Sequence, residues 1–121
     1  MSEFGDKLKE RTKVFALRII RMTSALPRTS PGRVLGDQVL RAATSVGANY
    51  REAFRARSQA EFIAKIGDCL REIEETDYWL ELIAESKLLP EQKLSEVRKE
   101  SGELIGLFAS VKKSSRNNFN S

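Results

Sequence analysis

The sequence predicts an all-α fold: an antiparallel, up-down-up-down four-helix bundle, as one domain over residues 1–121. Three observations lead there. Apolar residues recur at spacings of three and four in four long stretches, and no stretch shows the period of two that a half-buried strand needs. The three prolines, Pro27, Pro31 and Pro90, fall between those stretches, where a missing N–H is tolerated. Charged residues make up 31% and hydrophobic ones 40%, so each apolar stripe has a solvated face behind it.

The first helix is read over about 6–26. Leu8, Phe15, Ile19, Met22 and Leu26 share one face. Val14, Leu17 and Ala25 are expected to widen that stripe, and Pro27 ends it. The second helix spans about 31–57, with Ser30 as N-cap and Pro31 at the first helical position. It carries two apolar stripes. Leu35, Val39, Ala42, Val46, Asn49 and Ala53 make one; Leu40, Ala43, Gly47, Tyr50 and Phe54 make the other. A helix apolar on two sides is buried on two sides, and the second is expected at a subunit interface. Within it, Ala42, Ala43, Ser45, Gly47 and Ala48 leave room for another backbone to approach. That use explains a mid-helix glycine, which costs roughly 1 kcal/mol relative to alanine.

The third helix covers about 59–88. Ser58 and Glu61 have capping-box spacing. Phe62, Ile66, Cys69, Leu70, Ile73, Leu80 and Ile83 form its core stripe, with Tyr78, Trp79 and Leu82 as a bulky cluster. An acidic run from Glu72 to Glu85 covers the rest. The fourth helix, about 90–113, starts at Pro90 and repeats Leu94, Val97, Ser101, Leu104, Phe108 and Val111 in heptads. Lys112 and Lys113 suit a negative helix end. Residues 114–121 lack periodicity and are expected to be a disordered tail.

Charge divides the chain. Residues 1–60 hold 12 Lys/Arg against 5 Asp/Glu, a net of +7; residues 61–121 hold 9 against 12, a net of −3. Such asymmetry fits either nucleic-acid contact or the packing of oppositely charged helices. With no histidine, the commonest general base and transition-metal ligand is missing. One cysteine, Cys69, excludes an internal disulfide and a multi-thiolate zinc site. No phosphate loop, triad or cofactor motif occurs, so no catalytic, cofactor or metal residue is assigned and no enzyme is expected. Glu52, Glu72 and Glu75 could gather as carboxylates do in di-metal bundles, but those sites also use histidine. Neither a membrane span nor a signal-peptide core is read, and a cytoplasmic location is expected.

The segment Arg41-Ala42-Ala43-Thr44-Ser45-Val46-Gly47-Ala48-Asn49-Tyr50-Arg51-Glu52-Ala53 resembles the bacterial four helix bundle proteins, the family of proteins encoded in intervening sequences of 23S rRNA genes. The likeness continues through Ser58, Glu61-Phe62-Ile63, Lys65, Glu72, Glu75-Thr76 and Tyr78-Trp79-Leu80, and covers about residues 8–113. Many members have Glu-Gly where this chain has Glu52-Ala53. The resemblance implies a left-handed bundle that assembles as a homopentamer, with no assigned biochemical function. A related protein, the accessory protein of diversity-generating retroelements, is likewise a basic pentameric bundle and binds nucleic acid.

Two functional expectations follow. The first is a non-catalytic oligomer binding RNA or DNA through Arg11, Lys13, Arg18, Arg21, Arg28, Arg33, Arg51, Arg55 and Arg57. These lack interleaved aromatics, so sequence-specific reading is not expected. The second is a structural or partner-binding oligomer with no nucleic-acid role. Arg41, Ala43, Gly47, Asn49, Tyr50, Phe54, Glu72, Glu75, Tyr78 and Trp79 are the candidates for packing and assembly. Asn49 is expected as a buried amide tied to neighbouring helices, and Arg41 as a partner of Glu72 or Glu75.

Overall fold

A computed structural model describes residues 2–120. Four helices, α1 (Glu3–Thr23), α2 (Ser30–Ala53), α3 (Gln59–Glu85) and α4 (Ser95–Asn120), form an all-α bundle with consecutive helices antiparallel. Each neighbour packs on the next, and α1 and α4 close the ring with looser contact. The core runs the length of the bundle on Leu8, Phe15, Ile19, Val39, Val46, Ile66, Ile73, Leu80, Leu104 and Phe108.

Helix boundaries follow the caps. Ser2 accepts a hydrogen bond from Gly5 N–H, so α1 starts at Glu3 rather than near residue 6. Thr29, not Ser30, caps α2, because its hydroxyl reaches Gly32 N–H three residues on. Ser58 caps α3 through Glu61 N–H, as its spacing predicts. The second helix stops at Ala53 instead of 57: Phe54 folds its ring onto Tyr50 and Phe62, leaving 54–58 for the turn. The third stops at Glu85 instead of 88. Lys87 adopts φ 59, and Leu88 N–H bonds Ile83 C=O, the six-to-one closure that ends many helices. Pro90 starts a short 3-10 turn, Glu91–Lys93, before α4 begins at Ser95.

The expected tail is helical as far as Asn120. Ser115 is the next heptad position after Val111, and it is buried at 9% exposure. Lys112 and Lys113 therefore sit within the helix and not at its end. A hydroxyl hid that heptad step from the apolar pattern. The same reason hid Thr12 and Thr76, which are buried, whereas Ser101, read as a heptad position, is buried as expected. Their hydroxyls are satisfied: Thr12 donates to Lys9 C=O, Thr76 to Glu72 C=O, and Ser101 to Asp77 Oδ1 on α3. A satisfied hydroxyl is tolerated in a core.

Candidate nucleic-acid interface and assembly surfaces

The two-stripe helix is consumed inside the bundle. Ala42, Ala43, Val46, Tyr50 and Ala53 are all buried in the single chain. A Cβ on Gly47 would meet Thr12 Oγ1 at 3.2 Å, so the missing bulk admits α1. Cys69 Sγ lies 3.6 Å from Val46 C=O, so α3 approaches from the other side. The second stripe thus serves α1, not a neighbouring subunit as expected; only Phe54 at its end is exposed. Tyr50 donates weakly to Gly5 C=O at 3.4 Å and stacks edge-on against Phe108. Burial pushes the Tyr50 phenol and the Cys69 thiol each up to about 12, so neither is an ionised nucleophile near neutrality.

Asn49 does not tie helices together. Its Nδ2 donates to Ser45 C=O one turn back, at 2.9 Å, from a half-buried position. Arg41, on α2, makes an interhelical polar link instead. Its guanidinium bonds Glu75 and sits 3.6 Å from Glu72 Oε1, both on α3. Trp79 Nε1–H donates to the same Glu75 carboxylate at 3.0 Å. Glu52 pairs with Lys65 and stands apart from Glu72 and Glu75. Among the described residues no group of three or more His, Cys, Asp or Glu could hold a metal ion. Tyr78, expected among bulky core residues, is 51% exposed, and its ring lies 5.2 Å from the half-buried Trp79.

The candidate cations fall into two states. Arg11 is engaged: it bonds Glu100 through two nitrogens, at 2.6 and 3.0 Å, and reaches Glu103 at 3.1 Å. The hydrogen bond to Glu100 raises its pKa further. It joins α1 to α4 and is poorly placed to meet phosphate. Lys13, Arg18, Arg21, Arg28, Arg33, Arg51, Arg55 and Arg57 are exposed and form no ion pair among the described residues. Residues 11–36 contain six Lys/Arg and no Asp or Glu, which leaves those side chains without local partners.

Antiparallel packing sorts them by position. Arg28 and Arg33 flank the α1–α2 turn, and Arg51, Arg55 and Arg57 gather at the opposite end, by the α2–α3 turn. The helical C-terminus brings further cations toward that second end, which the sequence reading left out. Lys112 Nζ lies 3.6 Å from the Cβ position of Gly67 on α3. Lys112 and Arg116 line a shallow groove there with Arg71, Asp68 and Glu74. Expecting the chain to fray after residue 113 concealed them. A larger cavity, about 960 Å³, opens beside the α3–α4 turn between Leu89, Leu94, Lys87 and Arg98.

Comparison with known proteins bears on what such a bundle is. The profile of the 23S rRNA-intervening sequence protein family matches residues 7–110. The chain belongs to this family. It is also similar to a crystal structure from Bacteroides thetaiotaomicron, a protein of unknown function from the S23 ribosomal protein family. The two are 36% identical with a TM-score of 0.82, over 88% of this chain and 98% of that one. No curated protein matches the chain. The family profile and the structural similarity thus agree on the four-helix bundle for this chain. No helix among the described residues is long and apolar enough to cross a membrane.

Proposed function

We propose that this protein is a non-catalytic, cytoplasmic, oligomeric helical bundle that binds RNA or DNA without sequence specificity. The observation carrying this reading is the set of eight exposed cations with no carboxylate partner among the described residues. An arginine left unpaired on a rigid helix end can neutralise phosphate and release condensed counterions. The clusters at the two turns are the best placed, because each gathers arginines on neighbouring backbone. Aromatic side chains do not interleave with them, which favours backbone contact over base reading. Assembly multiplies the effect: each added copy contributes a net charge of +4. The family resemblance supports a homopentamer as that assembly.

The test is filter binding of single- and double-stranded RNA and DNA over a salt series. Affinity should fall steeply with salt, with a slope near −0.9 per phosphate neutralised on duplex DNA. Replacing Arg51, Arg55 and Arg57 together by alanine should reduce that slope by about 2–3 on a duplex. No binding at low salt, or binding indifferent to salt, would overturn the reading.

A second reading, a structural or protein-binding oligomer, draws support from one observation. The exposed Tyr78 beside Trp79 is an aromatic pair of the sort that anchors interfaces.

A further inference from the structure

Two of the exposed apolar patches on the bundle carry opposite charge. The first is on the outer side of α1, where the sequence pattern places core. Leu17 is 41% exposed and Ile20 46%, and Val14 is exposed beside them. At helical spacing Leu17 is bordered by Lys13 four residues before and Arg21 four residues after, both exposed. No Asp or Glu occurs anywhere in α1 after Glu10.

The second patch lies across α3 and α2. Tyr78 is 51% exposed, Val34 56%, and Leu82 is half-buried. Arg41 on α2 pairs with Glu75 on antiparallel α3, so Val34, seven residues before Arg41, stands at the level of Leu82, seven after Glu75. Tyr78 is bordered by Glu74 four residues before and Glu81 three after, both exposed and without an ion pair among the described residues. Residues 68–85 hold seven Asp/Glu against one arginine.

Each patch thus has an apolar centre with charges about one turn above and below it, cationic on one and anionic on the other. Both lie in the half of the bundle that holds the α1–α2 turn. The faces belong to α1 and to α2–α3, so one chain cannot satisfy itself. A second copy can, side by side and at nearly the same level. We infer that assembly is heterologous: the Leu17 face of one copy docks on the Tyr78 face of the next. Lys13 and Arg21 then meet Glu74 and Glu81 around an apolar centre. A heterologous contact that closes by rotation makes a ring. It also assigns the cations: those on α1 hold subunits together, and those at the two turns stay free for phosphate.

This inference rests on the oligomeric reading above and is tested on the full chain by light scattering with size exclusion. The wild type should exceed the 13.7 kDa of one chain. Lys13→Glu with Arg21→Glu should drop the mass to one chain, and so should Glu74→Lys with Glu81→Lys. All four changes in one chain should restore the assembled mass, since they re-pair the reversed charges. All four substituted positions are exposed, so circular dichroism should show the helix content unchanged in each variant. If the wild type is assembled and neither pair of reversals changes its mass, the face assignment is overturned while the oligomeric reading stands. A monomeric wild type at physiological concentration overturns both.

Discussion

Gly32 and Gly47 look alike in sequence, and their surroundings separate them. A Cβ on Gly32 would stand 2.1 Å from Pro27 C=O, a backbone atom that cannot swing aside. Gly32→Ala should cost about 3 kcal/mol, as overpacking against fixed atoms does. A Cβ on Gly47 would meet the Thr12 hydroxyl at 3.2 Å, and a shift of tenths of an ångström relieves it. There the gain in helix propensity, about 1 kcal/mol, offsets the crowding, so Gly47→Ala should leave stability nearly unchanged. Urea denaturation of the two variants checks both. The segment that identifies the family is thus tolerant at its glycine, and the strict glycine lies in the first turn of α2.

Cys69 and Tyr50 give the fold a pH dependence with a fixed sign. Burial holds both protons in the folded chain up to about pH 12, whereas the ordinary values are 9.0 for the thiol and 10.0 for the phenol. Below pH 9 folded and unfolded chains keep both protons and the full stability is present. Above it the unfolded chain loses protons first, so stability falls as pH rises toward 12. The loss should be on the order of 4 kcal/mol by pH 11, measured by denaturation at pH 8 and pH 11. A Cys69→Ala, Tyr50→Phe chain should show a flatter profile over that range.

At the scale of the element, helix ends decide more than helix middles. Lys87 takes a left-handed backbone conformation that glycine adopts without strain. Lys87→Gly should therefore stabilise the protein by about 1 kcal/mol, seen as a raised thermal midpoint with unchanged helix content. Periodicity located all four helices, because burial of one stripe must repeat with the helical turn. It placed their ends less well. The stops after Ala53 and Glu85 depend on where Phe54 packs and on how Leu88 closes onto Ile83, and neither contact is written in a spacing. The C-terminal extension of α4 follows the heptad to Ser115, a position that polarity alone assigns to solvent.

For the whole molecule, the candidate cations were legible as residues but not as a surface. Nothing in the sequence distinguishes Arg11 from Arg18, yet the first is held by Glu100 and Glu103 and the second forms no ion pair among the described residues. The expected pairing of the basic half with the acidic third helix holds for Arg41 on α2. The first helix instead reaches α4, since α1 and α3 lie diagonally across the bundle. Salt-dependent binding and the mass of the charge-reversed variants are the measurements that belong to this scale. Local spacing by itself determined the four helices, their order and the family, because periodic burial and capping are local properties of the chain. Only the tertiary structure decided which side of α2 meets α1, which arginines are engaged, and that Leu17 and Tyr78 face outward. Those outcomes depend on which residues distant in sequence come within a few ångströms, and the apolar pattern on α1 reads the same whether its second side meets another helix or another copy.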